Sequence, residues 1–462
     1  MATDSAKPGK PTYEDLERRV ASLEAQVAGL LKALEEAQRA RKRQAAPFSK
    51  GPPKKKPETP GRKPGDLYGE WAGRDEPDRF DEDVEVALPA GCPECGGRLD
   101  EVGVVEQFQT ELPPIRPIHR RFRIHLGCCA DCGCRVQPRD RRQTSDAVGA
   151  AAVQIGPNAL AFAALLNKQF GLSWDKIAGL YRRVFEFAVA ASTLYRAAAR
   201  LAARVEPEYD AMRAAVRSAP VANPDETSWK IAGLMAWLWV AVTPSITLYR
   251  IAPSRGGDVV RDLLGADFAG LLCRDGWAPY RALEKATHQS CIAHHFARAG
   301  EILEVAQRGA ARFAHALIRV LKSALELRDR RDDLTEHGFA VLRGKVQAAL
   351  DRVLAREPAY EPNARFVKHL RNEAPHLLTF LDHPEVEASN WLAEQAIRPA
   401  VITRKLAGGG SKTARGAHVQ EVLMSVLRTC VQQGRDALDL FVDAFRSPHP
   451  ITLGLAPRPP TR

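Results

Sequence analysis

The chain has 462 residues, with 67 Lys/Arg against 56 Asp/Glu for a formal charge of +11, and is 45% apolar and 27% charged. At roughly 150 residues per domain this is about three modules with real cores, which excludes whole-chain disorder. No apolar run reaches the roughly 18 residues that span a bilayer, and the start MATDSAKPGK lacks an apolar signal segment, so a cytoplasmic protein with no membrane contact is expected. The positive surplus points to a polyanion, most simply nucleic acid.

Leu16, Leu23 and Leu30 recur every seven residues, with Val20, Val27 and Leu34 four after each. This a/d seam predicts a coiled-coil helix over residues 1–46 and, through it, a homo-oligomer. Residues 47–86 read as a Pro- and Gly-rich basic linker, PFSKGPPKKKPETPGRKPGD, followed by an acidic stretch. Residues 1–66 hold 15 Lys/Arg against 9 Asp/Glu, so this arm carries +6 of the surplus.

Of nine cysteines, six lie between Cys92 and Cys134. In a large chain without a secretion signal that argues for reduced thiols or metal. Two Cys-x-x-Cys knuckles, Cys92/Cys95 and Cys129/Cys132, each present two thiolates on a Gly-containing turn and predict a four-sulfur Zn2+ site in a short β-rich module over 87–142. Cys128 and Cys134 are alternative partners. Arg120, Arg121 and Arg123, just before the second knuckle, give the module a phosphate-facing surface.

Residues 143–219 are Ala-rich and helical in pattern. Trp174 to Val184 followed by Ser192 to Leu201 has the length of a helix-turn-helix, offering Tyr195, Arg196 and Arg200 to a DNA groove. From residue 220 three apolar runs, VANPDETSW, MAWLWVAVTP and ITLYRIAP, read as an antiparallel meander, followed by a helix to Leu264, a strand ending at Asp275 and a strand QSCIAHH. The order β-β-β-α-β-α-β, with one Asp in the first strand and one at the end of the fourth, is a ribonuclease-H-like layout.

The whole is an α+β multi-domain chain: the first part of that core at 220–296, a helical insertion at 297–380, the second part with a Glu helix and a C-terminal helix at 381–446, and a loose tail at 447–462. Arg371 and Arg398 are candidates to approach a phosphate. Arg404, Lys405 and Gly408 to Lys412 form a basic glycine loop after the Glu helix, suited to phosphate contact or to a plain connection. Cys291 and His294 have the spacing of half a metal site. Without a second pair they read as an accessory strand-end pair, His294 bonding a phosphate or a carboxylate.

The strings NPDETSW, CRDGWAPY, CIAHHFAR, SNWLAEQAIRP and RKLAGGGSKTARGA, preceded by the heptad helix, PGRKPG and CPECGG, occur in an order that resembles the insertion-sequence-66 family of DDE transposases over nearly the whole chain. The resemblance implies that Asp225, Asp275 and Glu394 form a catalytic trio holding Mg2+ (or Mn2+). Phosphodiester cleavage and transfer call for two divalent cations about 4 Å apart, and hard Mg2+ takes oxygen ligands from a few carboxylates. Glu226 is the rival ligand beside Asp225. The implied activity is binding of transposon terminal repeats and target DNA with metal-dependent cleavage and strand transfer. Nucleoid association and accessory proteins of the same element are expected with it. The alternative is an inactive or domesticated zinc-containing DNA-binding protein. Where the family usually has paired asparagines before the Glu, this chain has Ser389-Asn390.

Overall fold

The computed structural model describes residues 76–406 and 409–457, together with Arg19, Val20 and Val27. Apart from those three residues, the expected coiled coil and basic linker lie outside the described residues, as do Gly408 and residues 458–462. The chain divides into two units, Met1–Pro113 and Pro114–Arg462.

In the first unit the described residues from 76 onward form no helix or strand. The knuckle at Cys92 is a closed turn: the Cys92 amide donates to the Gly97 carbonyl and the Gly96 amide to the Cys92 carbonyl, both at 2.8 Å. Gly96 sits at φ +71°, where a side chain is disfavoured. In the second unit the Cys129 knuckle repeats the pattern, Cys129 N to Cys134 O at 2.8 Å and Gly133 N to Cys129 O at 3.0 Å. It lies between β1 (Gly127–Cys128) and β2 (Arg135–Val136), which pair antiparallel. The β-rich segment expected over 87–142 is therefore reduced, among the described residues, to two strands of two residues. Val102, Val104 and Val105 are largely exposed, so no apolar face is present there to hold a larger sheet.

Three helices follow: α1 (Pro157–Lys168), α2 (Trp174–Val184) and α3 (Ala191–Arg217). Pro157 opens α1 at a position whose amide has no helical partner, and the Ser173 hydroxyl caps α2 by accepting from the Lys176 amide at 3.3 Å. The helices bury Ile177, Tyr181, Leu194, Leu201, Val205 and Met212 in the same core as Trp239 and Leu248 of the sheet. Residues 143–219 are thus packed against the sheet and do not form the separate domain expected from their composition. Six residues connect α2 to α3, longer than the tight turn of a helix-turn-helix.

The sheet contains β3 (Val221–Ile231), β4 (Leu234–Val242), β5 (Thr247–Ala252), β6 (Leu271–Arg274) and β7 (Thr287–Ser290), in the order β5-β4-β3-β6-β7. The β3–β4 and β4–β5 pairs are antiparallel; β3–β6 and β6–β7 are parallel. The parallel link between β5 and β6 runs through α4 (Gly257–Leu264). Alternation sorts the side chains: Trp239, Ala241, Leu248 and Leu272 enter one core, whereas Leu238, Val240 and Tyr249 enter another and Val221, Leu271 and Cys273 a third.

After β7 come α5 (Ile292–Val305), α6 (Ala311–Asp329), α7 (Glu336–Leu354), α8 (Glu361–Glu373) and the short α9 (Thr379–Asp382), whose core includes Val221, Leu271 and Cys273. Then α10 (Trp391–Leu406), α11 (Ala414–Gln432) and α12 (Ala437–Arg446) return to the sheet. The tail expected to be loose from Ser447 is strapped down as far as Ala456. The buried Glu208 carboxylate accepts from the amides of Leu453, Gly454, Leu455 and Ala456 at 2.5–3.0 Å, and the Ile451 amide donates to Arg204 O at 2.7 Å. No described helix is long and apolar enough to cross a membrane.

Candidate active site

The parallel register of β3 and β6 pairs Val221 with Leu271 and Ala222 with Leu272. Carried forward, the same offset of 50 sets Asp225 level with Asp275, one residue beyond β6. Alternation puts Asp225 on the face of Val221 and Trp229, and Asp275 on that of Leu271 and Cys273, which is the same side of the sheet. Helix α10 lies over that side, with Ala393, Ala396, Ile397 and Ala400 packed on Trp229, Leu238 and Val240. Glu394 stands in its first turn.

Burial, above all, pushes the Asp225 carboxyl up to about 7; the Glu226 amide, donating at 2.8 Å, opposes this, and the charges of Glu226, Asp275 and Glu394 add to it. The Asp275 carboxylate accepts from the Trp277 amide at 2.9 Å. Among the described residues neither aspartate has an Arg or Lys partner within 4 Å. A buried carboxyl whose ionisation is also opposed by the charges of two other carboxylates is stabilised in its ionised form by a divalent cation, and an all-oxygen donor set fits Mg2+ or Mn2+.

The rival ligand Glu226 points to the opposite face. Arg255 binds it at 2.6 Å, Tyr280 donates to it, and the Arg255 guanidinium is itself stacked on Trp237 and Trp277 at 4.5 and 3.9 Å. Its carboxylate is thus fully partnered.

Two hydrogen-bonded supports, built on Asn390 and Arg274 beside the acidic residues, flank the trio. Asn390, just before α10, donates through Nδ2 to Pro224 O at 2.6 Å, accepts from Asn223 Nδ2 at 3.2 Å, and donates its amide to Cys291 Sγ at 3.2 Å. On the other flank, buried Arg274 donates to Asp275 O at 3.0 Å and pairs with buried Glu373 of α8, which Arg281 also reaches at 2.7 Å. Burial alone would raise the Glu373 carboxyl, but the two guanidiniums outweigh it and hold it at about 2. Gly276 has no room for a side chain, since a Cβ there would lie 2.6 Å from the His369 ring.

Of the basic residues singled out from sequence, Arg120, Arg121, Arg123, Arg196, Arg398, Lys405 and Lys412 are exposed, and Arg398 lies one turn beyond Glu394. Two others are not free. Arg404 turns inward to Ser228 O, with Ser228 Oγ at 2.7 Å, because its position on α10 faces β3. Arg371 binds Leu354 O at 3.0 Å and Glu357 at 2.6 Å, clasping the turn between α7 and α8. The glycine loop is also committed: Ser411 N donates to Lys230 O at 2.8 Å, and a Cβ on Gly410 (φ +154°) would collide with the Lys230 backbone.

His294 Nδ1 lies 4.0 Å from Glu394 Oε1, and the donor atoms of Cys291, His294 and Glu394 all fall within 4.8 Å of one another. In the knuckles, amides of Glu94 and Cys95 hold the Cys92 thiol below the usual thiol range, and those of Cys132 and Asp131 do the same for Cys129. Amide donation of this kind favours the thiolate that metals bind.

A mixed sheet flanked by helices, with carboxylates on adjacent strands and a facing helix, is compatible with a transposase catalytic domain. Residues 152–419 match the family model described as "Transposase IS66 family", over half of the chain. The chain belongs to the IS66 family of transposases. It is also 26% identical over 234 residues to the "Uncharacterized protein y4qI" of Sinorhizobium fredii (strain NBRC 101917 / NGR234), a match covering 44% of this chain and 42% of that protein. The similarity therefore spans less than half of that relative's length.

Proposed function

We propose that this chain is a DDE transposase with a ribonuclease-H-like core, which binds transposon ends and catalyses metal-dependent DNA cleavage and strand transfer. The supporting observation is the gathering of Asp225, Asp275 and Glu394 on one side of a β5-β4-β3-β6-β7 sheet in a chain of this family. Asp225, Asp275 and Glu394 hold the cation. Bound there, Mg2+ or Mn2+ would stabilise charge on the attacked phosphate and activate the attacking hydroxyl. Asn390 and Arg274 keep the carboxylates in place.

DNA is held by the exposed Arg398, Lys405 and Lys412 on and after the helix of Glu394 and by Arg120, Arg121, Arg123 and Arg196 earlier in the chain; phosphate contacts of this kind weaken steeply with salt. The knuckle thiols bind Zn2+, and the N-terminal heptads join protomers. Purified protein incubated with Mg2+ and DNA carrying the element's ends should nick and join them, with EDTA abolishing both. DNA binding that survives with neither reaction under these conditions would instead support the non-catalytic, regulatory reading.

A further inference from the structure

We infer a second metal site, distinct in chemistry from the carboxylate centre: Cys291, His294 and Glu394 form a thiol–imidazole–carboxylate site for a borderline divalent cation of the zinc class. Sequence supplies only Cys291-x-x-His294, half a site. The fold adds a third donor from 103 positions along the chain, and all three donor atoms lie within 4.8 Å of one another. Sulfur, nitrogen and oxygen together select Zn2+ or Co2+ over Mg2+, which takes oxygen alone.

The sulfur is fixed from both sides. The Cys291 amide donates to Arg274 O at 2.9 Å, and Sγ accepts from the Asn390 amide at 3.2 Å. Cys291 stands as the N-cap of α5, so its place is set by the start of that helix. The other two donors are reachable from solvent: the side chains of His294 and Glu394 are 50% and 43% exposed. Tetrahedral zinc brings such donors about 3.5 Å apart, close to the 4.0 Å between His294 Nδ1 and Glu394 Oε1. The exposed side leaves a fourth position for water. Glu394 thereby belongs to two donor sets, one hard and one soft.

Cobalt(II) titrated into the chelator-treated full chain tests the site through metal binding alone, independently of strand transfer. The parent should bind one cobalt equivalent more than either Cys291→Ser or His294→Ala. The difference spectrum should show a thiolate-to-cobalt charge-transfer band with tetrahedral d–d transitions. His294 is half-exposed, so His294→Ala should fold even if Cys291→Ser does not. Asp275→Asn should keep the thiolate-to-cobalt charge-transfer band whatever cobalt the carboxylate centre loses, which separates this site from the carboxylate reading. Equal cobalt stoichiometry and identical spectra in the parent and a folded His294→Ala would overturn it.

Discussion

Asn390 and Asn223 are hydrogen-bonded side chain to side chain at 3.2 Å, and through this pair the helix bearing Glu394 is tied to the strand bearing Asp225. Both are almost completely buried. Asn390→Ala would unmake both side-chain hydrogen bonds, to Pro224 O and from Asn223 Nδ2, and loosen the start of α10. A displacement of about 1 Å at a reacting centre costs on the order of 100-fold, so strand transfer should fall by about that factor while DNA affinity is unchanged. Turnover and DNA binding measured side by side check this; a parallel loss of both would mean the latch serves folding only.

Glu373 should be the most costly single truncation in the insertion. Glu373→Ala leaves Arg274 charged and buried, a change worth about 3–5 kcal/mol in other proteins. Urea denaturation should show a lowered midpoint at unchanged slope, with Glu373→Gln intermediate.

Asp225 gives a pH dependence. Its folded-state pKa of about 7 lies above the ordinary carboxyl value, so the metal-free protein loses stability as pH rises from about 4 through 7, where the ionised form is disfavoured. Asp225→Asn removes that loss. Without metal, the substituted protein should be the more stable at pH 8, by on the order of 1–2 kcal/mol, with the advantage fading toward pH 4. Thermal melts across that range with EDTA present test the sign.

Gly410→Ala should destabilise the chain by roughly 1–3 kcal/mol, because the new Cβ meets the Lys230 backbone at a φ that disfavours side chains. If the glycine served a bound phosphate instead, stability would hold and only DNA binding would weaken.

How far these features are legible in the sequence depends on their range. Periodicity announces β3, β4 and β5, because successive residues such as Trp239 and Val240 enter different cores, and it announces α1 to α3. The spacing of Asp225 and Asp275 even carries the register offset of their strands. Contacts between distant segments leave no such trace. Nothing local reveals that Glu208 gathers four amides some 245 positions away, that Arg404 turns into β3, or that Cys291 and His294 meet Glu394. Composition separates residues 143–219 as a helical domain, yet their apolar faces complete the core of the sheet. Asn223 does leave a clue, as a polar residue in an otherwise apolar strand start.

The catalytic role of the carboxylates is tested most directly by single-end strand transfer with Mg2+, comparing the parent with Asp225→Asn, Asp275→Asn and Glu394→Gln at DNA concentrations that saturate binding. All three variants should bind DNA ends as the parent does and lose joining by at least about 1,000-fold. Full joining by a folded Asp275→Asn would contradict the assignment.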